Sequence, residues 1–149
     1  MPVPISPYHV RRSCWIDAPP EVVWEEFTSF ERMRAWYGTG HTLTEYEPRV
    51  GGMVETTVTH EGTPIRFRGE VLAFEPCSEI TFEQLWLDSD ADGPTMVTIR
   101  LTGIDNGTMV ELFHHGYERV GGDIAEQLDG YEDGWTNRQM HALRELVRA

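Results

Sequence analysis

Gly130 to Val147 reads GYEDGWTNRQMHALRELV, and its spacing sets the terms for the rest of the chain. At 100° per residue, Ile124, Leu128, Tyr131, Trp135, Gln139, Ala142 and Leu146 fall within about an 80° arc, so a helix here carries one narrow, mostly apolar stripe. The pattern predicts a helix from Asp123 to Val147, roughly 37 Å long at 1.5 Å per residue. A helix with one such stripe needs a concave surface to lie against. The sequence before it supplies a sheet.

From Thr42 onward the period is two, and six extended segments follow: Thr42–Glu47, Met53–His60, Pro64–Glu75, Glu79–Leu87, Thr95–Thr102 and Thr108–His115. Pro48 with Gly51-Gly52, Glu61-Gly62, Pro76, the acidic run Asp88 to Gly93, and Asp105-Asn106-Gly107 separate them. Connections this short join antiparallel neighbours. One face carries Val54, Thr56, Val58, Phe67, Val71, Ile80, Phe82, Val97, Ile99, Leu101, Val110 and Leu112, and the other Arg66, Arg68, Glu70, Glu83, Arg100 and Glu111. The sheet therefore has one covered side and one wet side. Further upstream, Tyr8–Ile16 reads as a first strand. Pro19-Pro20 opens a helix with Val23, Trp24 and Phe27 on its apolar face, and Phe30–Trp36 forms a second. Strand, two short helices, six strands and a helix make an α+β chain, and its 149 residues form one domain, 1–149.

Composition narrows the chemistry. All twelve basic residues are arginine, so Schiff-base chemistry, a P-loop lysine and lysine nucleophiles are excluded. With 25 acidic residues the net charge is −13, which repels phosphate backbones and anionic surfaces and argues against nucleic acid. No run approaches the length of a membrane span, and no apolar segment follows a basic start at the N-terminus, so a cytoplasmic protein without membrane insertion is expected. Cys14 and Cys77 show neither metal-ligand spacing nor a paired framework, and no metal or cofactor is expected.

The polar residues on the predicted inner face are the candidates for function. His114 follows Val110 and Leu112 at strand period and so points inward, whereas His115 points to solvent. Adjacent strand residues face opposite sides, so the two rings do not share a metal. A lone inward histidine is more often a satisfied core residue than a catalyst. Gln139 interrupts the helical stripe where an apolar residue belongs. Either it faces a partly hydrated cavity or the helix is rotated by one residue and it is exposed, a possibility that Met140, outside the stripe, raises. Arg12 and Gln84 could share the inner face. An apolar cavity with a few convergent polar groups is the usual form of a small-molecule site, against which stands a solid interior with polar strand ends. Trp36-Tyr37, before a Gly-rich connection, either fills the core or lines an opening.

Ala18-Pro19-Pro20-Glu21-Val22-Val23-Trp24, Trp36-Tyr37, Arg49-Val50-Gly51-Gly52, Gly69-Glu70-Val71 through Glu75-Pro76, Ile80-Thr81-Phe82, Gly107-Thr108 leading to His114-His115-Gly116, and Gly134-Trp135 resemble the domain of the activator of Hsp90 ATPase homologue type. That domain is a branch of the START-like (SRPBCC, Bet v 1-like) superfamily, and the resemblance runs from about Tyr8 to Val147. It implies a helix-grip fold: a curved seven-stranded antiparallel sheet around the long C-terminal helix, with two short helices after the first strand and a cavity between. The chain is also similar to bacterial proteins of polyketide and enediyne gene clusters, including the calicheamicin self-resistance type. The fold it implies hosts lipid carriers, hormone receptors, polyketide cyclases and antibiotic self-resistance proteins alike, and the leading expectation for this chain is a non-catalytic protein that binds a hydrophobic, aromatic or polycyclic small molecule. Trp36, Tyr37, Phe67, Phe82, Gln84, Trp86, Leu112, His114, Tyr131, Trp135 and Gln139 are expected to line the site. A polyketide cyclase would use His114 for proton transfer and Arg12 to polarise a carbonyl. A third reading, an interaction module related to Hsp90 co-chaperones, goes with a filled interior and an exposed apolar patch. The chaperone activator has an additional N-terminal region that this sequence lacks, so Hsp90 is not an expected partner.

Overall fold

The computed structural model describes residues 3–38, 42–87, 93–126, 128–129 and 135–148. Seven strands, β1 His9–Ile16, β2 Thr42–Tyr46, β3 Met53–His60, β4 Thr63–Glu75, β5 Glu79–Trp86, β6 Thr95–Ile104 and β7 Gly107–His115, form one antiparallel sheet in the order β1-β7-β6-β5-β4-β3-β2. Consecutive strands from β2 to β7 pair as hairpins, and β1 closes the far side by pairing with β7. Between β3 and β4, Glu61 and Gly62 both take positive φ (51° and 81°), the conformation of a tight two-residue hairpin turn whose twist matches the flanking strands. Helices α1 Pro20–Trp24 and α2 Phe30–Tyr37 follow β1, joined by a 3-10 turn over Glu25–Phe27, and α3 Arg138–Arg148 closes the chain. This is the α+β helix-grip arrangement, with each strand boundary within two residues of the sequence reading.

Aromatic packing fixes the short helices against the sheet. Trp24 stacks on Phe27 at 4.9 Å, Phe27 meets Trp36 at 5.1 Å, and Trp24 also reaches Phe74 on β4 at 5.2 Å. The Trp36 indole N–H donates to the Glu26 carbonyl, and the Tyr46 hydroxyl donates to the carbonyl of Phe27, so this end of the core is tied down by polar bonds as well as by apolar burial.

Three expectations are corrected. The C-terminal helix does not run from Asp123: residues 124–126 and 128–129 are helical, but Trp135 and Thr136 are not, and α3 covers 11 residues, about 16 Å. Thr136 and Asn137 start it. The Thr136 hydroxyl accepts from the Arg138 amide and the Asn137 carbonyl accepts from the His141 amide, so a local side-chain bond interrupts what the apolar stripe alone would continue. The phase of α3 is also turned: Met140 (1% exposed) and Leu143 are buried at the centre of its face, yet Gln139 is buried with them at 6%. Finally, His115 points to the outer face as expected but is not in solvent. Its Nδ1 accepts the Ser6 amide at 3.2 Å, leaving Nε2–H to donate to the Thr98 hydroxyl at 2.9 Å, and Thr98 bonds Thr81 at 2.8 Å. The N-terminal segment crosses that face at Ser6, and Thr81, Thr98, Phe113 and His115 are buried there.

Candidate functional site

The inner face has two zones. Toward α2 and α3 it is solid: Phe82, Leu112, Gln139, Trp36 and Tyr37 are buried, the last two with no accessible surface. Tyr37 meets Trp36 edge-on at 5.7 Å and Phe82 at 5.9 Å, so the Trp36-Tyr37 pair is part of the packed core. At the opposite end of the strands, packing loosens. Phe67, Gln84, Trp135 and Arg12 are half-buried, and Trp86 is 42% exposed. Phe67 and Trp86, paired in register between β4 and β5, hold their rings 6.0 Å apart at a 45° tilt. Strand period places Trp86, Gln84 and Thr95 on the same inward side as Phe82 and Val97. Tyr131 lies outside the described residues.

His114 joins the two zones. It has no exposed surface and lies opposite Val97 on β6 and Val10 on β1. The Trp135 indole, which can only donate, gives its Nε1–H to His114 Nδ1 at 2.7 Å. Nδ1 is therefore the acceptor of a neutral ring, and Nε2–H donates to the Thr95 hydroxyl at 2.7 Å. Thr95 in turn donates to the Gln84 carbonyl at 3.3 Å. The Trp135 main chain is held as well: Arg12 Nη2 donates to its carbonyl at 2.9 Å while Nη1 donates to the Arg11 carbonyl. Around the imidazole, Tyr117 lies at 5.0 Å and the Trp135 ring at 5.6 Å, nearly edge-on.

Burial, reinforced by the neighbouring His115, pushes the His114 pKa down to about 3. The ring is thus an uncharged hydrogen-bonding element with one tautomer, not a proton donor at neutral pH. The sequence reading brought together His114, Trp135, Arg12 and Gln84, but missed Thr95 and Tyr117. Thr95 was findable, since it stands at strand period with Val97 and directly opposite Gln84. Tyr117 follows the strand in a 3-10 turn whose direction the period of β7 does not specify. Among the described residues no three His, Cys, Asp or Glu side chains come close enough to hold a metal, and no helix is long and apolar enough to cross a membrane.

Comparison with known proteins places this geometry. A family model described as Activator of Hsp90 ATPase homolog 1-like protein matches residues 17–148. A search of curated proteins finds no match. Among solved structures, protein CV1439 from Chromobacterium violaceum is similar with a TM-score of 0.73 at 23% identity, over 97% of this chain and 99% of that one. Protein Ms6760 from Mycobacterium smegmatis gives 0.73 at 18% identity, over 93% and 90%. DynU16, a protein in the dynemicin biosynthetic locus, gives 0.67 at 21% identity, over 97% of this chain but 48% of that chain. Likeness at these identities speaks to the fold.

Proposed function

This chain belongs to the Activator of Hsp90 ATPase homolog 1-like family, and on that footing we propose that it binds an uncharged, hydrophobic aromatic or polycyclic small molecule at the open end of its inner face. The observation that carries the reading is the tilted Phe67–Trp86 pair, half open to solvent and continuous through Gln84 and Thr95 with the His114–Trp135 contact. Flat aromatic surfaces with a single amide beside them suit a ring system that stacks and accepts or donates one or two hydrogen bonds. The place of DynU16 in the dynemicin locus makes a secondary metabolite such as a polyketide or enediyne the first class to try. Binding without turnover is favoured over a cyclase, because His114 and Arg12, the residues a cyclase would use, are both engaged with Trp135 and the imidazole is neutral.

Titration of the 15N-labelled protein with a neutral aromatic polyketide aglycone tests the reading. Shifts of the Trp86 indole, the Gln84 side-chain amide and the Trp135 indole are expected. Shifts confined to the outer face, or none at all, would sink it.

A further inference from the structure

Trp135 is held by His114 of β7 and Arg12 of β1, on the inner face of the sheet. Its indole N–H fills the acceptor Nδ1 of His114, and its carbonyl takes a donor of Arg12. Both partners sit on the inner face of strands, His114 on β7 and Arg12 on β1, at positions two residues out of register: Arg12 pairs with Leu112 and Val10 with His114. Trp135 itself is half-buried and lies outside α3. A bicyclic aromatic ring, one N–H donor and one carbonyl acceptor are thus presented to the sheet by a segment outside any regular element.

We infer that Trp135 occupies the place of the ligand, and that the site takes a fused aromatic molecule carrying a hydroxyl donor and, away from it, a carbonyl acceptor. This deepens the binding function proposed above and rests on it. When such a molecule enters, its hydroxyl replaces the indole N–H at His114 Nδ1 and its carbonyl replaces the Trp135 carbonyl at Arg12 Nη2. Trp135 gives up both of these bonds to the guest. The hydroxyl decides selectivity. His114 Nδ1 is buried, and Thr95, whose own hydroxyl hydrogen goes to the Gln84 carbonyl, accepts Nε2–H, so a guest without a donor leaves Nδ1 unpaired away from water.

Calorimetric titration with three probes tests this: a naphthyl methyl ketone with a hydroxyl on the opposite ring, its O-methyl ether, and the parent ketone without either group. The hydroxy ketone is expected to bind at least about tenfold more tightly than the other two, the usual worth of one well-placed hydrogen bond. Its binding should move the Trp135 indole N–H resonance away from the position set by His114. In His114→Phe the preference should fall to near one. In Arg12→Met all three ketones should weaken together while the preference for the hydroxyl remains. Equal affinities in the unaltered protein, a preference that survives His114→Phe, or an unmoved Trp135 indole on saturation would overturn the inference and leave the general binding function standing if the ketones still shift Trp86. Failure of all three to bind would overturn both.

Discussion

His114 and His115 show how one dipeptide serves two faces. Strand alternation sends His114 inward to Trp135 and Thr95 and His115 outward to Ser6 and Thr98, and each ring is used at both nitrogens. Burial holds both pKa values down, to about 3 for His114 and about 4 for His115, so both are neutral in the folded protein and charged in the unfolded chain below about pH 6.5. Unfolding therefore takes up protons below that pH. The stability contributed by these rings is fully present above pH 6.5 and is lost as the pH falls toward 4 and below. With both histidines titrating only in the unfolded chain, unfolding takes up about two protons through them near pH 5, so stability falls as the pH is lowered there. Urea unfolding from pH 7.5 to 5 in the unaltered protein and in His115→Gln checks it. The variant should show a shallower slope, and an unchanged slope would show that His115 is not among the groups being protonated. The inward direction of His114 was legible from Val110 and Leu112 before it. The enclosure of His115 was not, because the covering residue Ser6 lies more than a hundred positions away and nothing local announces it.

At the scale of elements, the sheet was readable and the last helix only partly so. Six strands from Thr42 to His115 announce themselves by period two and by glycine, proline and asparagine between them, signals that act over a few residues. The extent and phase of α3 depend instead on a hydroxyl at Thr136 and on which residues meet β1, where the Cys14 thiol reaches the Met140 carbonyl. An apolar stripe cannot report either. Within the sheet, Gly69 is the position on which the candidate site leans. A Cβ there would lie 1.9 Å from the Glu83 carbonyl oxygen, a backbone atom of β5 that cannot step aside alone. This close approach lies beside the irregularity in β4–β5 pairing at Val71 and Ala73 and two residues from Phe67. Gly69→Ala should destabilise the fold by about 3 kcal/mol, at the upper end of the range for overpacking, and should separate the Phe67–Trp86 pair. Chemical unfolding reads the first effect, and Trp86 fluorescence the second.

For the whole molecule, the seven-stranded sheet and α3 enclose a solid core at one end and leave aromatic surface at the other, and it is this asymmetry that supports a binding function. The division could not be read from the chain. Trp36, Tyr37, Phe67 and Trp86 look alike in sequence, yet α2 carries the first two into the interior while the end of the β4–β5 hairpin leaves the last two at its rim. A chain of net charge −13 also disfavours anionic guests, in keeping with a neutral ligand. The most direct measurement is the affinity of Trp86→Ala for the aromatic polyketide that shifts the unaltered protein's resonances. Removal of one wall of an aromatic site should weaken binding at least about tenfold, the order of an aromatic contact together with its buried area, with chemical unfolding of the variant checking that the fold is intact. Unchanged affinity in Trp86→Ala, with the fold intact, would contradict the placement of the site at the open end of the sheet.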